Sequence, residues 1–143
     1  MKIKDVIRHK DSQAVVTISP EATVRELVAL LAEHNVGALV VSEDGERVDG
    51  IVSERDVVRR LHQDATVLDH AVNSIMTADV RTCGGDDGLT ELMQTMTEHR
   101  IRHVPVVADG RLTGIISIGD VVKNRIGELE FERDQLDSYV HQT

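Results

Sequence analysis

Two short runs in this chain combine residue types and spacing that suit chemistry: Gly50-Ile-Val-Ser53-Glu-Arg-Asp56 and Gly114-Ile-Ile-Ser117-Ile-Gly-Asp120. Each sets a hydroxyl three positions before a carboxylate, directly after a β-branched stretch. A serine at a strand-to-helix junction accepts from the amide of the third helical residue, and an aspartate there favours the positive helix end. The same geometry serves a ligand. Such a carboxylate can accept from the vicinal hydroxyls of a ribose, and the free amides of the helix start can take phosphate. Gly50 and Gly114 would let a ligand approach the backbone closely. On the residues alone, capping and ligand binding both stay open.

Phosphate also needs cations. Arg55 lies inside the first run, and Arg100, Arg102 and His103 precede the last pair of strands. Arginine outnumbers lysine 12 to 4, and its planar fork suits phosphate oxygens. Gly119 stands where Arg55 would recur, so two sites built on these runs should differ, with cations at the second drawn from elsewhere. Arg59 and Arg60 read as surface charge on an exposed helix.

The elements that must hold these residues come from a duplication. Residues 17–41 slide onto 82–106 at an offset of 65, placing Leu27 on Leu92, Leu31 on Met96 and His34 on His99. After a hairpin one residue shorter, the offset becomes 64 and the two runs coincide. Each copy reads β-α-β-β-α. Residues 14–18, from Ala14 on, form a short first strand. Thr23 and Glu26 make a capping box for a helix that buries Val24, Leu27, Val28 and Leu31 at helical spacing. Residues 38–41 and 48–52 form a hairpin, and the helix after Ser53 buries Val57, Val58 and Leu61. The second copy repeats this with strands at 104–107 and 112–116. Residues 66–76 read as a linking helix capped by Thr66 and Asp69. The expected division is 1–65 for the first repeat, 66–126 for the second with its link, and 127–143 for a C-terminal amphipathic helix.

Composition narrows the function classes. The chain of 143 residues is 41% hydrophobic but 1% aromatic, and its two rings, Phe131 and Tyr139, both lie near the C-terminus. The body must therefore pack aliphatic side chains, and it lacks the stacking platforms of single-strand nucleic-acid binders. A formal charge of −9 repels polyanions as general partners, which argues against DNA and RNA. No run is long and apolar enough to span a membrane, and no secretory signal opens the chain, so a cytoplasmic location is expected. A lone cysteine, Cys83, excludes an internal disulfide and a multi-cysteine zinc site. No nucleophile elbow, Walker loop or His-Glu-x-x-His motif occurs, so neither catalysis nor a metal or catalytic cofactor is expected.

The paired runs, together with Arg102-His-Val-Pro105 and the Asn-Ser-Ile-Met-Thr77 lead-in to the second copy, resemble the tandem cystathionine-β-synthase (CBS) domain pair, or Bateman module, over residues 3–126. The resemblance implies an α+β fold in which two β-α-β-β-α repeats pack sheet to sheet about a pseudo-twofold axis, followed by a C-terminal helix. It also implies regulatory binding of an adenosine-containing ligand (AMP, ADP, ATP, NAD or S-adenosylmethionine) in the clefts between repeats. No enzyme or channel domain follows, so the chain resembles a stand-alone pair that signals to an effector protein. The expected ligand set is Ser53, Arg55, Asp56, Ser117, Asp120, Arg102 and His103. Around the base stand Thr17, Ile18 and Ala38 in the first copy and Thr82, Cys83, Val104 and Pro105 in the second. A ligand-free, dimeric adaptor is the alternative.

The tail repeats apolar residues at 122, 126, 129, 136 and 140, interrupted by Arg133, which makes a heptad-like seam. It could fold back on its own module; a homodimer contact is the preferred reading, since CBS pairs commonly form disk-shaped dimers.

Overall fold

The computed structural model describes residues 1–10 and 15–141; Ala14, expected to open the first strand, lies outside them. Helix α1 (Ile3–Arg8) leads into strand β1 (Thr17–Ile18), helix α2 (Val24–His34), strands β2 (Ala38–Val41) and β3 (Gly50–Ser53), and helix α3 (Glu54–Gln63). Two 3-10 turns, Val67–Asp69 and Val72–Ser74, join this half to helix α4 (Leu89–His99), strands β4 (His103–Ala108) and β5 (Arg111–Ser117), and helix α5 (Ile118–His141).

Local chemistry starts the helices where the side chains allow it. Thr23 Oγ1 accepts from the Glu26 amide at 3.1 Å while Glu26 Oε2 accepts from the Thr23 amide at 3.2 Å, closing the expected box on α2. Both α2 and α4 end on a residue in the left-handed conformation, Asn35 and Arg100, just after His34 and His99. Val24, Leu27 and Leu31 are buried on α2, but Val28 is 40% exposed. On α3 only Val57 is buried, whereas Val58 and Leu61 are 65% and 44% exposed. That corrects the broader apolar face read from spacing: α3 packs against α2 and the first 3-10 turn, and this packing covers Val57 but leaves Val58 and Leu61 largely in solvent.

The linking helix does not form. Thr66 turns its hydroxyl onto Asp64 Oδ1 at 2.6 Å, and Asp69 pairs with Arg25 at 3.2 Å, so no Thr66–Asp69 cap exists. The reason lies in where the backbone bonds go. His70 O accepts from the Val24 amide, while the Val72 and Asn73 amides donate to Ala22 O and Pro20 O. A segment whose amides and carbonyls bind another strand of chain cannot also bond to itself as a helix.

In the first half β1 runs parallel to β2 and β2 antiparallel to β3, with Ala38 opposite Ser53. In the second half β4 and β5 pair antiparallel with His103 opposite Ser117, and the third strand shrinks to a single parallel bridge between Cys83 and Val106. Gly84 and Gly85 follow that bridge; glycine is a poor strand residue, with nothing to pack and much freedom to lose.

Each half completes its core with the other half's leading segment. Val67, Val72 and Ile75 are buried with Ile18, Leu27 and Val52, whereas Ile3 and Val6 are buried with Leu89, Val104 and Ile116. The exchange is symmetric. The Leu89 amide donates to Met1 O as the Val24 amide does to His70 O, and the Lys2–Gly88 bridge matches Ala71–Thr23. The result is an α+β pair of repeats about a pseudo-twofold axis, with α5 continuing as the C-terminal helix. Both cores are aliphatic and hold no aromatic residue, as the composition requires.

Candidate functional site

Ser53 and Ser117 each stand where a strand becomes a helix. Ser53 Oγ accepts from the Asp56 amide at 3.3 Å, and Asp56 Oδ2 accepts in return from the Ser53 amide at 2.8 Å and its hydroxyl at 3.1 Å. Ser117 Oγ accepts from the Asp120 amide at 3.2 Å, and Asp120 Oδ2 accepts from the Ser117 amide at 2.9 Å. Both expected caps are therefore present. Among the described residues these bonds fall on Oδ2 alone, so Oδ1 of each aspartate is unengaged.

Each aspartate lines a cleft where the halves meet. Asp56 faces a cleft of about 310 Å³ with Ser53, Glu54 and Thr77 on one side and Ile101 and His103 on the other. Arg55, Arg59, Arg100 and Arg102 also line it. Asp120 faces a cleft of about 470 Å³ whose walls mix aliphatic residues, including Val6, Val16, Val36 and Ile115, with the polar His9, His34 and Asn124. Its cations are Lys10 and Lys123. Ala38, at the start of β2, lines both clefts.

Lys10 dominates the electrostatics of the second cleft. Its Nζ lies 3.0 Å from Asp120 Oδ2 and donates to Ile115 O at 2.9 Å. Burial alone would raise the Asp120 pKa, but the Ser117 amide and Lys10 outweigh it and hold the carboxyl below its ordinary range. At the equivalent place in the first half, Ile51 exchanges two backbone hydrogen bonds with Thr77, each 2.9 Å. A lysine ammonium in one half thus replaces a backbone bridge in the other.

His103 sits between the two clefts. Burial holds its imidazole below the usual histidine range, Glu54 and Asp120 pull the other way, and Lys10 and Arg102 oppose the added charge. Cys83 contributes no reactive thiol: burial first, then the charge of Asp87, pushes it up to about 12.

The glycines of the two runs make room for the protein itself. A Cβ on Gly50 would lie 2.6 Å from Met76 Sδ and 2.9 Å from Thr77 O, and one on Gly114 would lie 3.0 Å from Ile7 Cδ1. The close approach expected for a ligand is taken by the exchanged segments.

Of the sequence-derived ligand set, Ser53, Arg55, Asp56, Arg102 and His103 come together in the first cleft, and Ala38 joins them. Asp120 lines the second, with Ser117 bonded to it. Thr17, Ile18, Thr82, Cys83, Val104 and Pro105 line neither; Ile18, Val104 and Pro105 are buried, and Cys83 packs beside the second core. Lys10, Thr77 and Lys123 were not legible as site residues, and Arg59 had read as surface charge. Only the β-α-β-β-α duplication pointed toward Thr77, through the lead-in to the second copy.

Comparisons with known proteins agree with this architecture. The family model of the CBS domain matches residues 3–63 and 72–127. The CBS domain-containing protein CBSX3, mitochondrial, of Arabidopsis thaliana is 36% identical, over 96% of this chain and 71% of that protein. Among solved structures, a candidate signal-transduction protein with CBS domains from Burkholderia ambifaria superposes with a TM-score of 0.84 at 38% identity, covering 89% of this chain and 95% of that one. The CBS domain pair of protein MJ0100, in complex with 5′-methylthioadenosine and S-adenosyl-L-methionine, superposes with a TM-score of 0.78 at 26% identity, covering 90% and 98%. Two matched repeats, exchanged leading segments and paired Ser-x-x-Asp caps carry one conclusion: the chain belongs to the CBS domain family, as a tandem pair.

Proposed function

We propose that this CBS pair is a sensor of adenosine-containing nucleotides (AMP, ADP, ATP or NAD) and not an enzyme. The observation that carries the reading is the state of the two motif aspartates. Each lies in an inter-repeat cleft with Oδ2 pinned by its cap and Oδ1 unengaged. A carboxylate held this way is pre-oriented to accept from the two hydroxyls of a ribose. Arg55 and Arg102 serve phosphate in the first cleft. Lys10 and Lys123 supply in the second the charge that Gly119 leaves missing. The ligand complex of MJ0100 supports the ligand class, since both of its ligands carry an adenosine group. Output follows by population shift: a ligand touching both halves favours one arrangement of them, which a partner protein reads.

Isothermal calorimetry with AMP, ATP and NAD tests this on Asp56→Ala and Asp120→Ala. Loss of a charge-assisted pair of hydrogen bonds predicts affinity lower by about ten- to a hundredfold in the altered cleft. If neither substitution weakens any of the three, the ribose assignment is wrong. A ligand-free adaptor would instead bind none of them.

One observation favours a protein-facing role beside the ligand role. Along α5, Ile126, Leu129, Leu136 and Val140 are each about half exposed or more, and Phe131 and Tyr139 are 65% and 74% exposed. From Leu129 to His141 every residue of the helix is exposed, whereas Glu128 still reaches the Met1 amino group at 3.7 Å. A cytoplasmic homodimer through this helix covers the seam. Light scattering reads it directly: the wild-type mass should be twice that of the chain, and a Leu129→Glu/Leu136→Glu double variant should run as a monomer. A monomeric wild type overturns the dimer.

A further inference from the structure

The first cleft continues outward into a second hollow of about 470 Å³ along the outer side of α3. The two share Asp56, Arg59 and Thr77, and the outer one adds Arg60, Gln63, Ile75 and Met76. Five arginines therefore border one continuous groove: Arg55, Arg59, Arg60, Arg100 and Arg102. Among the described residues, none of the five makes a salt bridge or a side-chain hydrogen bond, while Arg25, Arg47, Arg125 and Arg133 all pair with carboxylates. Among the described residues, the carboxylates in the groove are Glu54 and Asp56. That local excess of positive charge occurs in a chain with 25 acidic and 16 basic residues and a net charge of −9.

We infer that the outer hollow is a second phosphate subsite, with Arg59 and Arg60 as its cations, and that the groove takes a nucleotide bearing at least two linked phosphates. The inference rests on the ribose reading of Asp56 for its direction. With ribose at Asp56, a first phosphate reaches Arg55 or Arg102, and a longer chain runs past Arg59 toward Arg60. Planar guanidinium forks match successive phosphate oxygens, and a line of them rewards each added phosphate. The second cleft, with Lys10 already engaged by Asp120 and Lys123 alone beside it, offers no such line.

Calorimetry on the full chain with adenosine, AMP, ADP, ATP and inorganic tripolyphosphate tests this, comparing wild type with Arg59→Ala/Arg60→Ala. Both side chains are exposed, so the double variant should melt as wild type does. Affinity in the first cleft should rise from AMP to ATP by about tenfold or more, and the double variant should lose about tenfold for ATP while AMP changes little. Equal affinities for AMP and ATP, or an ATP affinity unchanged in the double variant, overturn the subsite. The ribose reading fails separately. Should tripolyphosphate bind and weaken in the double variant while Asp56→Ala leaves ATP untouched, the subsite stands and the ribose assignment falls. Should Asp56→Ala abolish adenosine and ATP binding alike while the arginine variant changes neither, the reverse holds.

Discussion

The Asp56 and Asp120 clefts share the same reciprocal pair of Ser-x-x-Asp backbone bonds, to which Ser53 adds its hydroxyl, yet they draw their charge from different places. The first takes arginines from its own helix, Arg55 and Arg59, and from the turn between α4 and β4, Arg100 and Arg102. The second takes Lys10, which follows α1 at the far end of the chain, and Lys123 from its own helix. The strand behind each aspartate differs in step. Ile51 is bonded by the Thr77 backbone, and Ile115 by the Lys10 side chain. Duplication copied the caps, and the electrostatics differ through residues outside them: arginines on α3 and after α4 for Asp56, Lys10 from the exchanged segment and Lys123 for Asp120. A cap is a bargain between residues three apart, so it survives copying. Charge supply depends on residues that only the fold brings near, so the copies are free to drift.

The largest effect expected from probing this difference is on packing. Gly50→Ala would drive a Cβ against Met76 Sδ at 2.6 Å and against the Thr77 carbonyl at 2.9 Å. The methionine can turn aside, but the carbonyl belongs to the bridge that holds β3, so we expect a loss of about 1–3 kcal/mol in urea unfolding. Gly114→Ala meets only the Ile7 side chain, at 3.0 Å and beyond. An isoleucine tip yields more readily than backbone, and the expected loss is about 1 kcal/mol or less. Equal losses at the two positions would mean that the halves seal their strands alike, contrary to the geometry.

A smaller effect is expected from Lys10→Met. The ion pair with Asp120 is about three-quarters buried on both sides, and removing it should cost about 0.5–1 kcal/mol near neutral pH after allowance for solvent screening. The sign with pH is fixed. Asp120 titrates below its unfolded value of 3.8, so its contribution to stability is full above that value and lost as pH falls through the folded pKa. In Lys10→Met the Asp120 carboxyl should move up toward the ordinary range and the acid-side loss should shrink. Carboxyl titration by NMR reads the first, and melting temperature between about pH 5 and 3 reads the second. An unchanged Asp120 titration would show that the Ser117 amide alone depresses it. Arg55 makes no equivalent ion pair with Asp56, so Arg55→Met should leave stability near neutral pH unchanged in urea unfolding.

Much of the fold was legible because the signals are local. The Thr23–Glu26 box, the Ser53 and Ser117 caps and the hairpins at 38–53 and 103–117 follow from chemistry between near neighbours. The linking segment was misread because its apolar residues suit a helix, whereas its backbone is bonded to residues 20–24. Val58 and Leu61 were misread because helical spacing gives the direction of a face but not how wide a neighbour covers it. Arg59 was set aside for the same reason: whether a helical arginine meets water or a groove depends on what lies across from α3.

By itself the sequence determined the duplication, the aliphatic core, the two capped aspartates and the inequality of the sites at Arg55 and Gly119. These rest on composition and on contacts within a few residues, which any compact conformation of the chain must respect. Only the tertiary structure decided that the leading segments cross to the opposite core, that Lys10 reaches Asp120 and that five arginines border one groove. Those contacts join residues far apart along the chain, between which no pattern of spacing carries information. They form because burying Ile3, Val6, Val72 and Ile75 in the opposite half completes two cores that neither repeat can complete alone.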